Sequence, residues 1–314
     1  MTEYLDLFGD VRYFHLGGDE AYAFGTCPDC ADYVSKHGRN QLYAEHIRDI
    51  AQPVLERGVR PGIWGDMVLH DPRDIDSIPR DFVIWDWNYW GHDGMTETVR
   101  VWGKGSFNRK EITTELCDVF PTILDDQSRC APFYTADFLK NAGFDVVLSS
   151  SARSAGDSFF ACHFPKHARN VASAARKASS ENLLGTCVTN WAVRLNSYES
   201  QAALLPLAPR LMKHPDHDDD TVIAEQVNAT FNAPPDVFLK ASDVLGSGYP
   251  FGTATGTAIQ WTRGKDSLPA PPRYIEHLLQ SWRDDPDGAL AKMRHAVDVT
   301  NGISEAAAEM HAFA

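Results

Sequence analysis

Long apolar runs are missing from this chain. No stretch reaches the roughly 18 apolar residues that a bilayer-crossing helix requires. The opening residues, Met1-Thr2-Glu3-Tyr4-Leu5-Asp6, carry neither a basic region nor an apolar one of the secretory kind. The expectation is a cytoplasmic protein with no membrane partner. Basic residues are also scarce: 29 Lys and Arg stand against 43 Asp and Glu, for a formal net charge of −14. That sign argues against nucleic acid and anionic lipid as partners. The six cysteines (Cys27, Cys30, Cys117, Cys130, Cys162, Cys187) are too irregularly spaced for the disulfide framework of a small secreted domain. Internal repeats and low-complexity tracts are absent. Apolar and aromatic residues are plentiful, at 43% and 11%, enough for one large domain or a domain with an appendage.

The densest chemistry lies near the start. Val11, Tyr13, Phe14 and Leu16 form a short apolar strand pattern that runs into His15-Leu16-Gly17-Gly18-Asp19-Glu20. The paired glycines permit a tight turn, and the two carboxylates follow at the strand's end. In parallel α/β folds that edge is where ligands bind. Adjacent carboxylates in a confined site resist joint ionisation. One is therefore a candidate proton donor near neutral pH while the other stays charged.

Further strands are expected at 60–67, 81–87, 144–151 and 183–191, with helical patterns at 27–57, within 109–142, and at 164–179. Strand and helix alternate, which predicts right-handed crossovers and a parallel sheet. The C-terminal ends of the strands repeatedly carry polar or aromatic groups: Asp19 and Glu20, Trp64 and Asp66, Trp85 to Tyr89, Ser149 to Ser151, Asn190 and Trp191. A barrel enzyme's catalytic face has this character. From about Tyr198 the pattern turns helical, with tracts at 198–213, 219–231, 235–245, 272–283 and 287–312 and a loop at 246–265. The expected domains are a catalytic unit over 1–200 and a helical region over 201–314.

The motif His15-x-Gly17-Gly18-Asp19-Glu20 resembles the signature of family 20 glycoside hydrolases, the β-N-acetylhexosaminidases. The Trp-bearing strands and the serine-ended strand follow in that family's order across roughly residues 8–200. The Thr26-Cys27-x-x-Cys30 loop and Trp64-Gly65-Asp66-Met67 look most like the short hexosaminidase D branch. In that family the Asp-Glu pair closes the fourth of eight barrel strands. The resemblance therefore implies an α/β fold that is an incomplete TIM-like (β/α) barrel, with about five parallel strands equivalent to strands 4–8 and helices after them. It also implies an arginine from a first strand; Arg153 and Arg194 are candidates to replace it. An open sheet edge of this kind calls for cover, by a homodimer or by the region from 198 onward.

The chemistry implied by the resemblance is exo-acting, retaining and substrate-assisted, with no cofactor. The sugar's acetamido oxygen is the nucleophile, Glu20 the general acid and then base, and Asp19 orients the acetamido group. The substrate is a small molecule or oligosaccharide with a terminal β-linked GlcNAc or GalNAc. Trp64, Trp85, Trp87 and Trp191 are candidate walls of an apolar box, with one of Trp85 and Trp87 expected to face it. Tyr89 is a candidate donor to the acetamido oxygen. Asp66, Asp86 and Asn190 are candidates for sugar hydroxyls, and His15 for a buried supporting residue. The rival readings are a degenerate amino-sugar-binding protein, and a metal-dependent hydrolase built on Asp19, Glu20, Asp66 and a nearby His. Cys27-x-x-Cys30 reads as a turn with reduced thiols, or as half a zinc site with His37 and His46 following. His214 to Asp220 reads as a solvated loop and helix N-cap.

Overall fold

The computed structural model describes residues 2–154, 157, 161–191, 198–214, 216–246, 280, 282–291, 294, 297, 298 and 301. Two compact units are present, Met1–Ser149 with Lys177–Cys187, and Ser150–Arg176 with Val188–Ala314. The elements run α1 (Thr2–Phe8), β1 (Tyr13–His15), α2 (Pro28–His37), α3 (Arg39–Leu55), β2 (Arg60–Trp64), α4 (Asp66–His70), β3 (Val83–Trp87), β4 (Thr98–Val101) and β5 (Gly105–Asn108). They continue with α5 (Thr114–Val119), α6 (Tyr134–Asn141), β6 (Asp145–Arg153), α7 (Phe164–Ser180), β7 (Gly185–Asn190), α8 (Leu207–Lys213), α9 (Asp219–Phe231) and α10 (Pro235–Gly246).

Five strands form one sheet in the order β1-β2-β3-β6-β7. β1, β2, β3 and β6 pair in parallel through His15↔Gly62, Trp64↔Trp85 and Trp87↔Ser149. Leu184 N–H donates to Val146 C=O, and Trp191 N–H to Arg153 C=O, so β7 runs the same way. Spatial order follows chain order without reversal, which is the winding of a (β/α) barrel and not of a doubly wound sheet. The fold is the expected incomplete TIM-like barrel with helices following.

In the first unit, α3 buries Tyr43, Ala44, Ile47, Ala51 and Val54 along one face, the three- and four-residue spacing of an amphipathic helix. Each such large apolar side chain contributes about 1.5–3 kcal/mol on burial. The continuous helix expected over 27–57 is in fact α2 and α3, broken at Gly38, whose φ of 86° and ψ of 156° no helix accommodates. The β4–β5 hairpin was not expected at all. Its buried Val99 and Val101 alternate with exposed Arg100.

In the second unit, α7 and the helices after it share a core that includes Phe164, Val171, Leu204, Leu207, Leu211 and Val222. Asp218 caps α9, accepting from Thr221 N–H at 2.9 Å. The expected loop at 246–265 and the tracts at 272–283 and 287–312 lie largely outside the described residues. No helix among the described residues is long and apolar enough to cross a membrane.

Candidate active site

β1 ends at His15; the next two residues still bond to β2, and the chain then turns away from the sheet. Leu16 N–H donates to Gly62 C=O at 2.7 Å, and Gly17 C=O accepts from Trp64 N–H at 3.1 Å. Gly17 N–H donates to His15 Nδ1 at 3.0 Å. Gly18 C=O accepts from the Tyr43 hydroxyl at 3.0 Å. Glu20 N–H donates to Asp66 Oδ2 at 2.9 Å. A side chain at Gly18 is strained: its φ is 88°, and a Cβ would sit 2.7 Å from the Tyr43 hydroxyl oxygen. Glu20 itself holds a φ of 50°, a left-handed conformation that costs a non-glycine residue roughly 1–2 kcal/mol. The surrounding hydrogen bonds over-determine that turn, and strain held this way is a mark of functional sites.

The turn delivers two carboxylates into different surroundings. Glu20 is exposed and Asp19 is half-buried. Tyr22 donates its hydroxyl to Glu20 Oε1 at 3.1 Å. Burial pushes the Asp19 carboxyl above its usual range; its own backbone N–H pulls it back, and the Glu20 charge adds to the rise. A third carboxylate, Asp66, is 1% exposed. Burial raises it too, against the lowering effect of hydrogen bonds from the Glu20 N–H and the Trp87 indole.

Aromatic rings lie beside the turn in two groups. The His15 imidazole packs 4.4 Å from Trp64 and 4.9 Å from Trp85. Burial lowers it to about 4, so it is neutral at pH 7. With Nδ1 accepting from Gly17, the proton belongs on Nε2, a buried atom with no hydrogen-bond partner among the described residues. The second group centres on Trp87, stacked on Tyr89 at 4.8 Å and packed 4.3 Å from Trp102. Trp90 completes it, and the Arg100 guanidinium lies over Trp90 at 5.0 Å and Trp102 at 5.2 Å. Trp90, Arg100 and Trp102 were missed by sequence reasoning. The Thr98-Val99-Arg100-Val101 alternation followed by glycines was the signal that could have found the hairpin carrying two of them.

The remaining expectations distribute as follows. Trp85 and Trp87 are two residues apart, so the pleat sends both to one face; the expectation that only one would face the site is corrected. Asp86, between them, points the opposite way. It is fully buried and accepts from Thr135 Oγ1 of α6 at 2.7 Å, so it is a helix-side residue and not a sugar ligand. Burial pushes its carboxyl up to about 7. Asn190 and Trp191 belong to the second unit and are exposed. Arg153 lies in the same unit and is 1% exposed; Arg194 lies outside the described residues.

Among the described residues no three His, Cys, Asp or Glu side chains gather in a way that could hold a metal ion. All six thiols are free, and Cys27 caps α2, its Sγ accepting from Cys30 N–H at 3.3 Å. A cleft of about 280 Å³ lined by His70, Arg73, Lys104, Glu115 and others contains none of the expected site residues.

The family model for the catalytic domain of glycosyl hydrolase family 20 matches residues 1–102. That span holds the whole of the turn, both aromatic groups and Asp66. No curated protein matches the chain. Solved structures similar to it include the following two. One, from work on differential inhibition of the tandem GH20 catalytic modules, is the pneumococcal exo-β-D-N-acetylglucosaminidase StrH, at TM-score 0.35 and 16% identity over 94% of this chain. The other, from work on inhibition of the pneumococcal virulence factor StrH and on N-glycan recognition and hydrolysis, has TM-score 0.33 and 14% identity over 77% of this chain. The chain spans 60% of the length of each.

Proposed function

We propose that the chain carries an exo-acting β-N-acetylhexosaminidase site that releases terminal β-linked GlcNAc or GalNAc with retention. The observation that carries this reading is the Asp19–Glu20 pair, side by side on a turn fixed by hydrogen bonds, inside the span that matches the family 20 catalytic domain. Side-by-side carboxylates do not straddle a glycosidic bond in the way a nucleophile and an acid must, about 5 Å apart across it. The substrate therefore supplies the nucleophile. Its acetamido oxygen attacks the anomeric carbon and forms an oxazolinium ring, while Glu20 protonates the departing oxygen. Glu20 then takes a proton from the water that opens the ring. Asp19 accepts from the acetamido N–H, holds the oxygen in line, and offsets the positive charge that develops on the ring. Attack within one molecule gains from high effective molarity when the group is held still. Trp64, Trp85 and Trp87 supply apolar walls, and Tyr89 is the donor to the acetamido oxygen.

The test is release of nitrophenol from the N-acetyl-β-glucosaminide and the N-acetyl-β-galactosaminide. Glu20→Gln and Asp19→Asn each lower the rate by at least about 100-fold. Equal rates in wild type and Glu20→Gln reject the assignment. N-acetylglucosamine binding without turnover in the wild type replaces it with a sugar-binding protein.

The same proposal places the protein in the cytoplasm as a homodimer. Among the described residues β1 is an edge strand with Tyr13 exposed on it, and a second copy covers that edge. Light scattering at twice the chain mass supports this, and a monomer at working concentration contradicts it.

A further inference from the structure

Asp66 does not have the properties of a sugar ligand. It is 1% exposed, and each of its oxygens is already engaged. Oδ2 accepts from the Glu20 backbone N–H at 2.9 Å, and Oδ1 accepts from Trp87 Nε1 at 3.1 Å. The peptide just before it is pinned as well, because Gly65 N–H donates to Trp85 C=O at 3.0 Å. Its carboxylate thus spans the gap from the turn after β1 to the indole at the end of β3. The residue it holds on the turn is Glu20, whose φ of 50° is unfavourable without such a partner. Trp87 is in turn stacked on Tyr89 and packed on Trp102, so the indole is a fixed anchor.

We propose that Asp66 is a positioning residue: through its two oxygens it locks the backbone of Glu20 to the Trp87 indole and so sets where the acid presents its proton. This rests on the hexosaminidase reading above. A neutral amide cannot replace the carboxylate, because one of its two ends is a donor. Whichever way Asn is turned, one of the two N–H groups meets an NH₂.

The experiment compares wild type, Asp66→Asn and Trp87→Phe, the last removing only one of the two donors and preserving a ring. Turnover of the nitrophenyl N-acetyl-β-glucosaminide is read as kcat and KM, and N-acetylglucosamine affinity by calorimetry. The Glu20 amide and Trp87 indole signals are followed by ¹⁵N NMR. Asp66→Asn lowers kcat by about 100-fold, as a misplaced catalytic group does, with KM within about threefold. It leaves N-acetylglucosamine affinity unchanged and moves both signals; Trp87→Phe lowers kcat in the same direction and moves the Glu20 amide. Weakened sugar affinity with kcat intact makes Asp66 a ligand and overturns the proposal. A lowered melting temperature with unchanged kcat makes it merely structural and overturns it equally. Should Asp66→Asn fail to fold, an unmoved Glu20 amide in Trp87→Phe overturns it. Wild type without turnover sinks the hexosaminidase reading instead; the two signals then decide alone, and their immobility in Asp66→Asn removes the lock.

Discussion

At the scale of single residues, environment sorts groups of the same chemistry. Asp19, Asp66 and Asp86 are all raised by burial, yet one faces the candidate site, one ties the turn, and one sits against α6. For Asp19 the consequence is kinetic. The mechanism needs it ionised, and its carboxyl lies above the ordinary value of about 3.9. The kcat/KM profile therefore falls on the acid side at a pH above that value, and a profile flat down to about pH 4 contradicts the role. For Asp86 the consequence is stability. Its folded value of about 7 exceeds the unfolded one, so its contribution is fully present below the unfolded value and is lost as pH rises through 7. The difference is on the order of 4 kcal/mol. Asp86→Asn, which still accepts from Thr135, flattens that decline; denaturant melts at acid and alkaline pH compare the two. Gly18→Ala lowers the melting temperature, and Tyr43→Phe partly rescues it by removing the oxygen in the way. The carboxylate pair and the glycines were legible in sequence because their spacing is local. The job of Asp66 was not, because both of its partners are distant in the chain, 46 and 21 residues away.

At the scale of elements, apolar runs announced β2, β3 and β6, since strands buried on both faces show as continuous apolar segments; β7, only half-buried, was placed by its Val-Thr-rich pattern. β1 proved shorter than its pattern because, after two last bonds to β2, the backbone from Gly17 N–H to Glu20 bonds to side chains that fix the turn. The break at Gly38 was hidden by an apolar stripe that runs on past it; glycine inside a helix costs only about 1 kcal/mol and does not by itself end one. Its backbone conformation is nearly exclusive to glycine, and no atom crowds the position. Gly38→Ala therefore lowers stability by about 1–3 kcal/mol from backbone strain alone, readable in chemical denaturation. The β4–β5 hairpin escaped notice because four-residue strands are too short for alternation to stand out. What it contributes is Trp102, which packs on the ring that Asp66 holds.

At the scale of the whole molecule, the order of strand and helix along the chain already implied the sheet, because parallel neighbours joined by right-handed crossovers leave few alternatives. The end position of β1 in the strand order was legible too. Which side chains meet across that sheet was not, since ring packing and shared hydrogen bonds depend on register to within one residue. The activity proposed here depends on one physical claim: the substrate's acetamido group does the displacement. The initial rate of the wild-type chain on nitrophenyl N-acetyl-β-glucosaminide, set against its rate on the nitrophenyl β-glucoside that has a hydroxyl in place of the acetamide, tests this most directly. The expected result is cleavage of the first at least about 1,000-fold faster than the second. Comparable rates on the two substrates contradict it.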